Sequence, residues 1–132
     1  TVLAAKGAAQ AVLRVIHTRD GSTSAPRALT TNAEVAHGAA WLADGSIAVL
    51  RARKKTAMEV VRMRTIEGEP EGPRVEVALA KGAMGARLTR SPCGRYLVVW
   101  WKAPPEGRRR SEYGAVLVTR LVLLEAAALG AG

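Results

Sequence analysis

The stretch "AAWLADGSIAVLRARKKTAMEVVRM", Ala39 to Met63, decides the fold. A Trp and an Asp44-Gly45 pair lead into two runs, Ser46 to Lys54 and Ala57 to Ile66, in which the chemical character of the side chains alternates with a period of two. That period belongs to strands, and Asp before Gly suits the tight connection ahead of the first run. With Lys55-Thr56 as a second tight turn, the two runs form a hairpin. Its pairing places Ala48, Leu50 and Ala52 beside Val61 and Met63 on one face, and Arg51, Arg53, Arg62 and Arg64 on the other. Ile47, Val49, Met58 and Val60 share that second face, so part of it is also expected to be covered.

Working outward, the same signals continue. "AVLRVIHT" (residues 11–18) reads as a strand ended by the Asp20-Gly21 turn, with a shorter one in "APRALTT". "EGEPEGP" reads as a loop, and "RVEVALA" after it as a half-exposed strand in which Val75, Val77 and Leu79 alternate with Arg74 and Glu76. "RYLVVWWK" is apolar on both sides, Leu97, Val99 and Trp101 on one and Tyr96, Val98 and Trp100 on the other, which calls for burial of both faces. After the Pro/Gly/Arg-rich connection "APPEGRRRSEYG", residues 115–124 form a final strand, and "EAAALGAG" either turns helical or frays.

Composition bounds the function. With 132 residues, 48% of them hydrophobic, the chain supports one core and one domain. Arg supplies 15 of the 20 basic residues behind the net charge of +9, which suits an anionic partner, nucleic acid or an acidic protein surface; dispersed Arg also serves solubility alone. A single cysteine, Cys93, allows neither an intramolecular disulfide nor a Cys-based zinc site, and points to a reducing, intracellular setting. The longest apolar run is broken by Arg120 and Glu125, so no membrane span is expected. The start at Thr1 lacks the layout of a secretion signal, and a start removed by processing or truncation is expected.

The opening stretch occurs twice. Aligning Ala39 to Ala52 with Arg87 to Lys102 superposes Gly45 on Gly94, Ala43 on Pro92, and Ile47 to Leu50 on Tyr96 to Val99, an offset of 49 residues. Each copy has a short strand, a Gly turn, a strongly apolar strand and a further strand, the order of a repeated unit. "WLADGSIAVL" and "SPCGRYLVVWW" resemble the Trp-Ser-Pro-Asp-Gly turn and following strand of β-propeller repeats of the WD-repeat and TolB-like kind, and "RMRTIEGE" resembles the end of their third strand. The Trp-Asp dipeptide and the Gly-His signature are absent, and Cys93 stands where the first copy has Asp44. The resemblance implies an all-β chain of antiparallel four-stranded blades: residues 1–34 the end of one blade, 35–80 a complete blade, 86–125 a partial blade and 126–132 a tail. A closed propeller typically needs about four or more blades. The chain is therefore expected to be a fragment or partial propeller, to assemble with other chains, or to use the repeats in a different small β fold, and not to be a stable monomer alone.

Chemistry is sparse. No G-x-S-x-G elbow surrounds a Ser, and "KGAMGAR" lacks the ending of a phosphate loop. His17 and His37 have no companion at ligand spacing, so no metal and no cofactor is expected, and no enzyme. Trp41, Trp100 and Trp101 serve either as core or, for one of the adjacent pair at most, as a base-stacking platform. The candidate binding residues are cationic: Arg51, Arg53, Arg62 and Arg64 on the hairpin, and Arg108, Arg109 and Arg110 in a Pro/Gly-flanked loop. Two functions compete. One is a noncatalytic interaction or scaffold module that engages another protein chain or the rest of a longer propeller; the other is a basic β domain that binds nucleic acid through the Arg face.

Overall fold

The computed structural model describes residues 2–5, 8–30, 36–54, 57–78, 84–104 and 117–130. Among them the fold is all-β, with ten strands in three antiparallel sheets. The first sheet holds β1 (Val2–Ala5), β2 (Ala8–Leu13) and β3 (Arg27–Thr30). The second runs β4 (His37–Trp41), β5 (Ile47–Lys54), β6 (Ala57–Met63) and β7 (Glu71–Ala78), each strand bonded to the next. The third holds β8 (Met84–Arg90), β9 (Tyr96–Ala103) and β10 (Val118–Glu125), with β9 in the centre. A single 3-10 turn, Ala126–Leu129, follows β10 and packs on β6 and β7.

The sheets stack as layers with the second in the middle, and its two central strands explain why. Ile47 to Leu50 and Met58 to Val61 are all buried, so both faces of β5 and β6 are covered. One face carries Ile47, Val49, Val61 and Met63 against Leu13 and Val15 of the first layer. The other carries Ala48, Leu50, Met58 and Val60 against Leu88, Leu97, Val99 and Trp101 of the third. Arg27 of β3 ties the first layer to the second by donating to the carbonyls of Glu67 (2.9 Å) and Ile66 (3.4 Å) beyond β6. Between the second and third layers β4 lies beside β8, joined by an isolated Ala36–Ala86 bridge. A Cβ on Gly38 would come within 2.9 Å of the Leu88 amide nitrogen, so the absent side chain is what permits this approach.

The repeat is visible in backbone bonds. Leu42 N–H donates to Ser46 O (2.8 Å) and Gly45 N–H to Leu42 O (3.0 Å); Ser91 N–H donates to Tyr96 O (2.9 Å) and Gly94 N–H to Ser91 O (2.9 Å). Gly45 and Gly94 both adopt positive φ, +86° and +74°, which glycine alone tolerates without strain. The second turn holds one more residue than the first, so beyond it Ile47 to Leu50 correspond to Leu97 to Trp100, one position on from the alignment by sequence.

Other boundaries differ from the sequence reading. β1 is an added strand, and β2 ends at Leu13, with residues 14–24 forming a hairpin extension bridged at Ile16 and Thr23. β7 starts at Glu71 and contains Pro73, which an edge strand accepts because one side of its backbone needs no partner. Most consequentially, Arg53 is a β-bulge: Lys54 pairs with Ala57, but Ala52 pairs with Met58 and Ile47 with Met63. That slip turns Val61 and Met63 to the face of Ile47 and Val49, and Arg62 to the face of Ala48 and Leu50. The expected four-arginine face does not exist.

Candidate interaction surface

The hairpin arginines are held by carboxylates. Arg51 Nε donates to Glu59 Oε1 at 2.6 Å, and Arg74 lies 3.6 Å from the other oxygen of this nearly inaccessible carboxylate. Arg62, on the opposite face, reaches Asp44 (3.3 Å), the Ser46 hydroxyl (3.2 Å) and Glu71 (3.8 Å), and Arg64 pairs with Glu71. Arg53 contributes the bulge, and Arg108, Arg109 and Arg110 lie outside the described residues. Among the described side chains, Arg51, Arg62 and Arg64 thus form no continuous cationic face. In the second sheet and its loops, residues 36–54 and 57–78, six basic residues meet six acidic ones.

Asp44 is a turn residue with a further duty. Its carboxylate accepts from the Ser46 hydroxyl and the Ser46 amide (2.9 Å), and these bonds, with Arg62 nearby, hold its pKa below the usual carboxylate range. At the matching place in the second turn, Cys93 is exposed; the Ser91 hydroxyl 3.4 Å away lowers its pKa, with the Arg95 backbone assisting. Among the described residues no three of His, Cys, Asp and Glu are grouped so as to hold a metal ion, and no helix is long and apolar enough to cross a membrane.

The tryptophans separate. Trp101 is buried between the second and third layers, whereas Trp100, on the other face of β9, is 36% exposed. Trp41 is 54% exposed at the end of β4, so the core role expected for it is not realised; it borders a shallow cleft with Leu13, Val15 and Ile47.

The outer face of the third sheet is the feature sequence reasoning misjudged. Both faces of β9 were expected to be buried; Leu97, Val99, Trp101 and Ala103 are, while Tyr96 and Val98 on the other face are half-buried and Trp100 is partly exposed. On the other side Trp100 stands opposite Leu121 and Val98 opposite Leu123, with the two leucines 64% and 57% exposed. Leu117 adds to this exposed apolar set. Among the described residues the outer edge of β10 pairs with no strand, while β6, its counterpart in the second sheet, pairs with β7. The third sheet and its loops, residues 84–104 and 117–130, hold five basic residues (Arg87, Arg90, Arg95, Lys102 and Arg120) against one acidic, Glu125. An apolar face, an open edge and an excess of positive charge therefore coincide on one sheet. The alternation in "VTRLVLLE" was the available signal, since Leu121 and Leu123 share one face and Val122 and Leu124 the other.

No family model matches the chain, and no curated protein and no solved structure matches it.

Proposed function

We propose that this chain is a noncatalytic interaction module of β-propeller type, whose blades are the stacked antiparallel sheets and whose third sheet engages another polypeptide. One observation carries the reading: among the described residues Leu121 and Leu123 are exposed and their neighbours Val98 and Trp100 only partly covered, at the position where the second sheet's equivalent face, Ala48, Leu50, Met58 and Val60, is buried under another layer. Contiguous apolar patches of this kind on soluble domains mark sites of association. The carboxylate partners of Arg51, Arg62 and Arg64 favour this reading over nucleic-acid binding, because a paired guanidinium has less charge to offer phosphates.

The test is a pair of measurements on the full chain. Leu121→Thr/Leu123→Thr, with an unchanged strand spectrum by circular dichroism, lowers the fluorescence of a bound hydrophobic dye and reduces self-association in sedimentation at tens of micromolar. A random single-stranded oligonucleotide does not bind at physiological salt. Oligonucleotide binding that falls steeply with added salt, together with a dye signal indifferent to the two leucines, would replace this reading with the nucleic-acid one.

A further inference from the structure

We propose that the cavity between the two glycine turns binds a free α-amino acid with an aliphatic side chain, its carboxylate received by Arg95 and its ammonium by Glu125. Trp100, Leu121 and Leu123 do not line this cavity, so the site is independent of the interaction-module reading.

A comparison of the two repeats supplies the argument. Ile47 corresponds to Leu97 and Met63 to Leu124, so Ser46 corresponds to Tyr96, Arg62 to Leu123 and Arg64 to Glu125. Cys93 takes the place of Asp44, and Arg95 is the extra residue of the second turn. At the first turn charge is answered within the chain. Asp44 meets Ser46 and Arg62, and both Arg62 and Arg64 meet Glu71. At the second turn these partners are gone. The Arg95 and Glu125 side chains are exposed, and among the described residues neither forms an ion pair or a side-chain hydrogen bond; Arg95 lies over the Tyr96 ring at 5.3 Å.

The backbone keeps the two charges together. Tyr96 and Glu125 are cross-strand partners, and the Ala126 amide donates to the Arg95 carbonyl at 2.9 Å. Between this corner and Ala43 of the first turn lies a half-open cavity of about 380 Å³, its wall completed by Cys93, Gly94, Ala126 and Ala127. That volume is in the range of small-molecule sites. The short, mostly apolar wall suits an aliphatic side chain. One guanidinium and one carboxylate at its mouth suit a ligand that carries both signs, because Arg donates to a carboxylate in a fixed fork and Glu accepts from an ammonium. A residue inside a peptide fits less well, since its amide bonds remove both charges. With both groups exposed, the affinity is expected to be roughly millimolar.

The test uses the full chain with its one cysteine as reporter. Cys93 lines the cavity and is exposed, so an occupied cavity slows its alkylation by a neutral thiol reagent. Leucine is expected to half-protect the thiol at roughly millimolar concentration. Isopentylamine, which lacks the carboxylate, and isocaproate, which lacks the ammonium, should each need about tenfold more. Arg95→Gln removes the advantage of leucine over isopentylamine, and Glu125→Gln its advantage over isocaproate, with protection taken as a ratio to each variant's own ligand-free rate. Both positions are exposed, so an unchanged strand spectrum by circular dichroism is expected of both variants. No protection by leucine at about 50 mM, equal protection by the three compounds, or an advantage of leucine that survives in either variant overturns the site. None of these outcomes bears on the dye and sedimentation results at Leu121 and Leu123.

Discussion

The second and third sheets are built to one plan and meet different surroundings. Both have a short first strand, a glycine turn and an apolar second strand, and both present Val or Leu on the side facing the preceding layer. On the far side they part. Ala48, Leu50, Met58 and Val60 are buried, whereas Leu121 and Leu123 stand in solvent and Trp100 is partly open. The same strand plan can therefore carry one buried and one partly exposed face. The charges divide likewise: Arg51, Arg62, Arg64 and Arg74 of the second sheet pair with its own carboxylates, and the described residues of the third hold an excess of basic side chains.

Trp100 and Trp101, adjacent in sequence, break or sharpen this contrast most directly. Trp101→Ala is expected to cost about 3–5 kcal/mol, as for truncation of a buried aromatic, and Trp100→Ala about 1 kcal/mol or less, because its face is only partly covered. Chemical denaturation reads both, and equal costs would mean that the outer face is packed after all. The next contrast is between Leu50→Ala, about 3 kcal/mol at a fully buried position, and Leu121→Ala, within about 0.5 kcal/mol at an exposed one. Gly38→Ala, which pushes a methyl at the Leu88 backbone, should lower the unfolding midpoint by an amount corresponding to about 2 kcal/mol. The change Gly85→Ala is a useful companion: no atom lies within 4 Å of a Cβ there, so any cost comes from its φ of +69° alone.

The smallest effect is acid sensitivity at the first turn. Because Asp44 has a lowered pKa in the fold, the unfolded chain binds its proton more readily. The associated stability is present above the unfolded pKa near 3.9 and is lost as pH falls through the lower folded value. Thermal unfolding between pH 6 and pH 3 should accordingly decline less steeply in Asp44→Asn than in the parent chain. Removing Cys93, which holds the matching place in the second turn, should leave that decline unchanged.

Much of this was legible before any coordinates. The hairpin of Ile47 to Met63, the glycine turns, the four-strand second unit and the recurrence 49 residues on follow from period-two alternation and from turn chemistry. β1 was not legible, since "VLAA" is too short and too rich in Ala to show a strand's preference. β7 was read as starting after Pro73 because a proline argues against a strand interior, and only its place at the sheet edge makes it admissible. The candidate arginine face failed for a stronger reason. A tight turn at Lys55-Thr56 and a bulge at Arg53 are both compatible with the local sequence, and they differ by one residue of register.

The sequence by itself determined that the chain forms antiparallel strands, where its glycine turns fall, and that one unit recurs, because alternation and turn geometry are properties of a few neighbouring residues. Which side each strand presents was decided only by the tertiary structure. Leu13 and Val15 of one layer bury Ile47, Val49, Val61 and Met63 of the next together, and that shared burial selects the bulged register over the unbulged one. The same step turns Arg51 and Arg62 to opposite faces and gives each its own carboxylate. The exposed face of β10 is likewise a tertiary fact: Leu121 and Leu123 are as apolar as Val60 and Met58, and what distinguishes them is that a layer faces Val60 and Met58 while, among the described residues, none faces the two leucines.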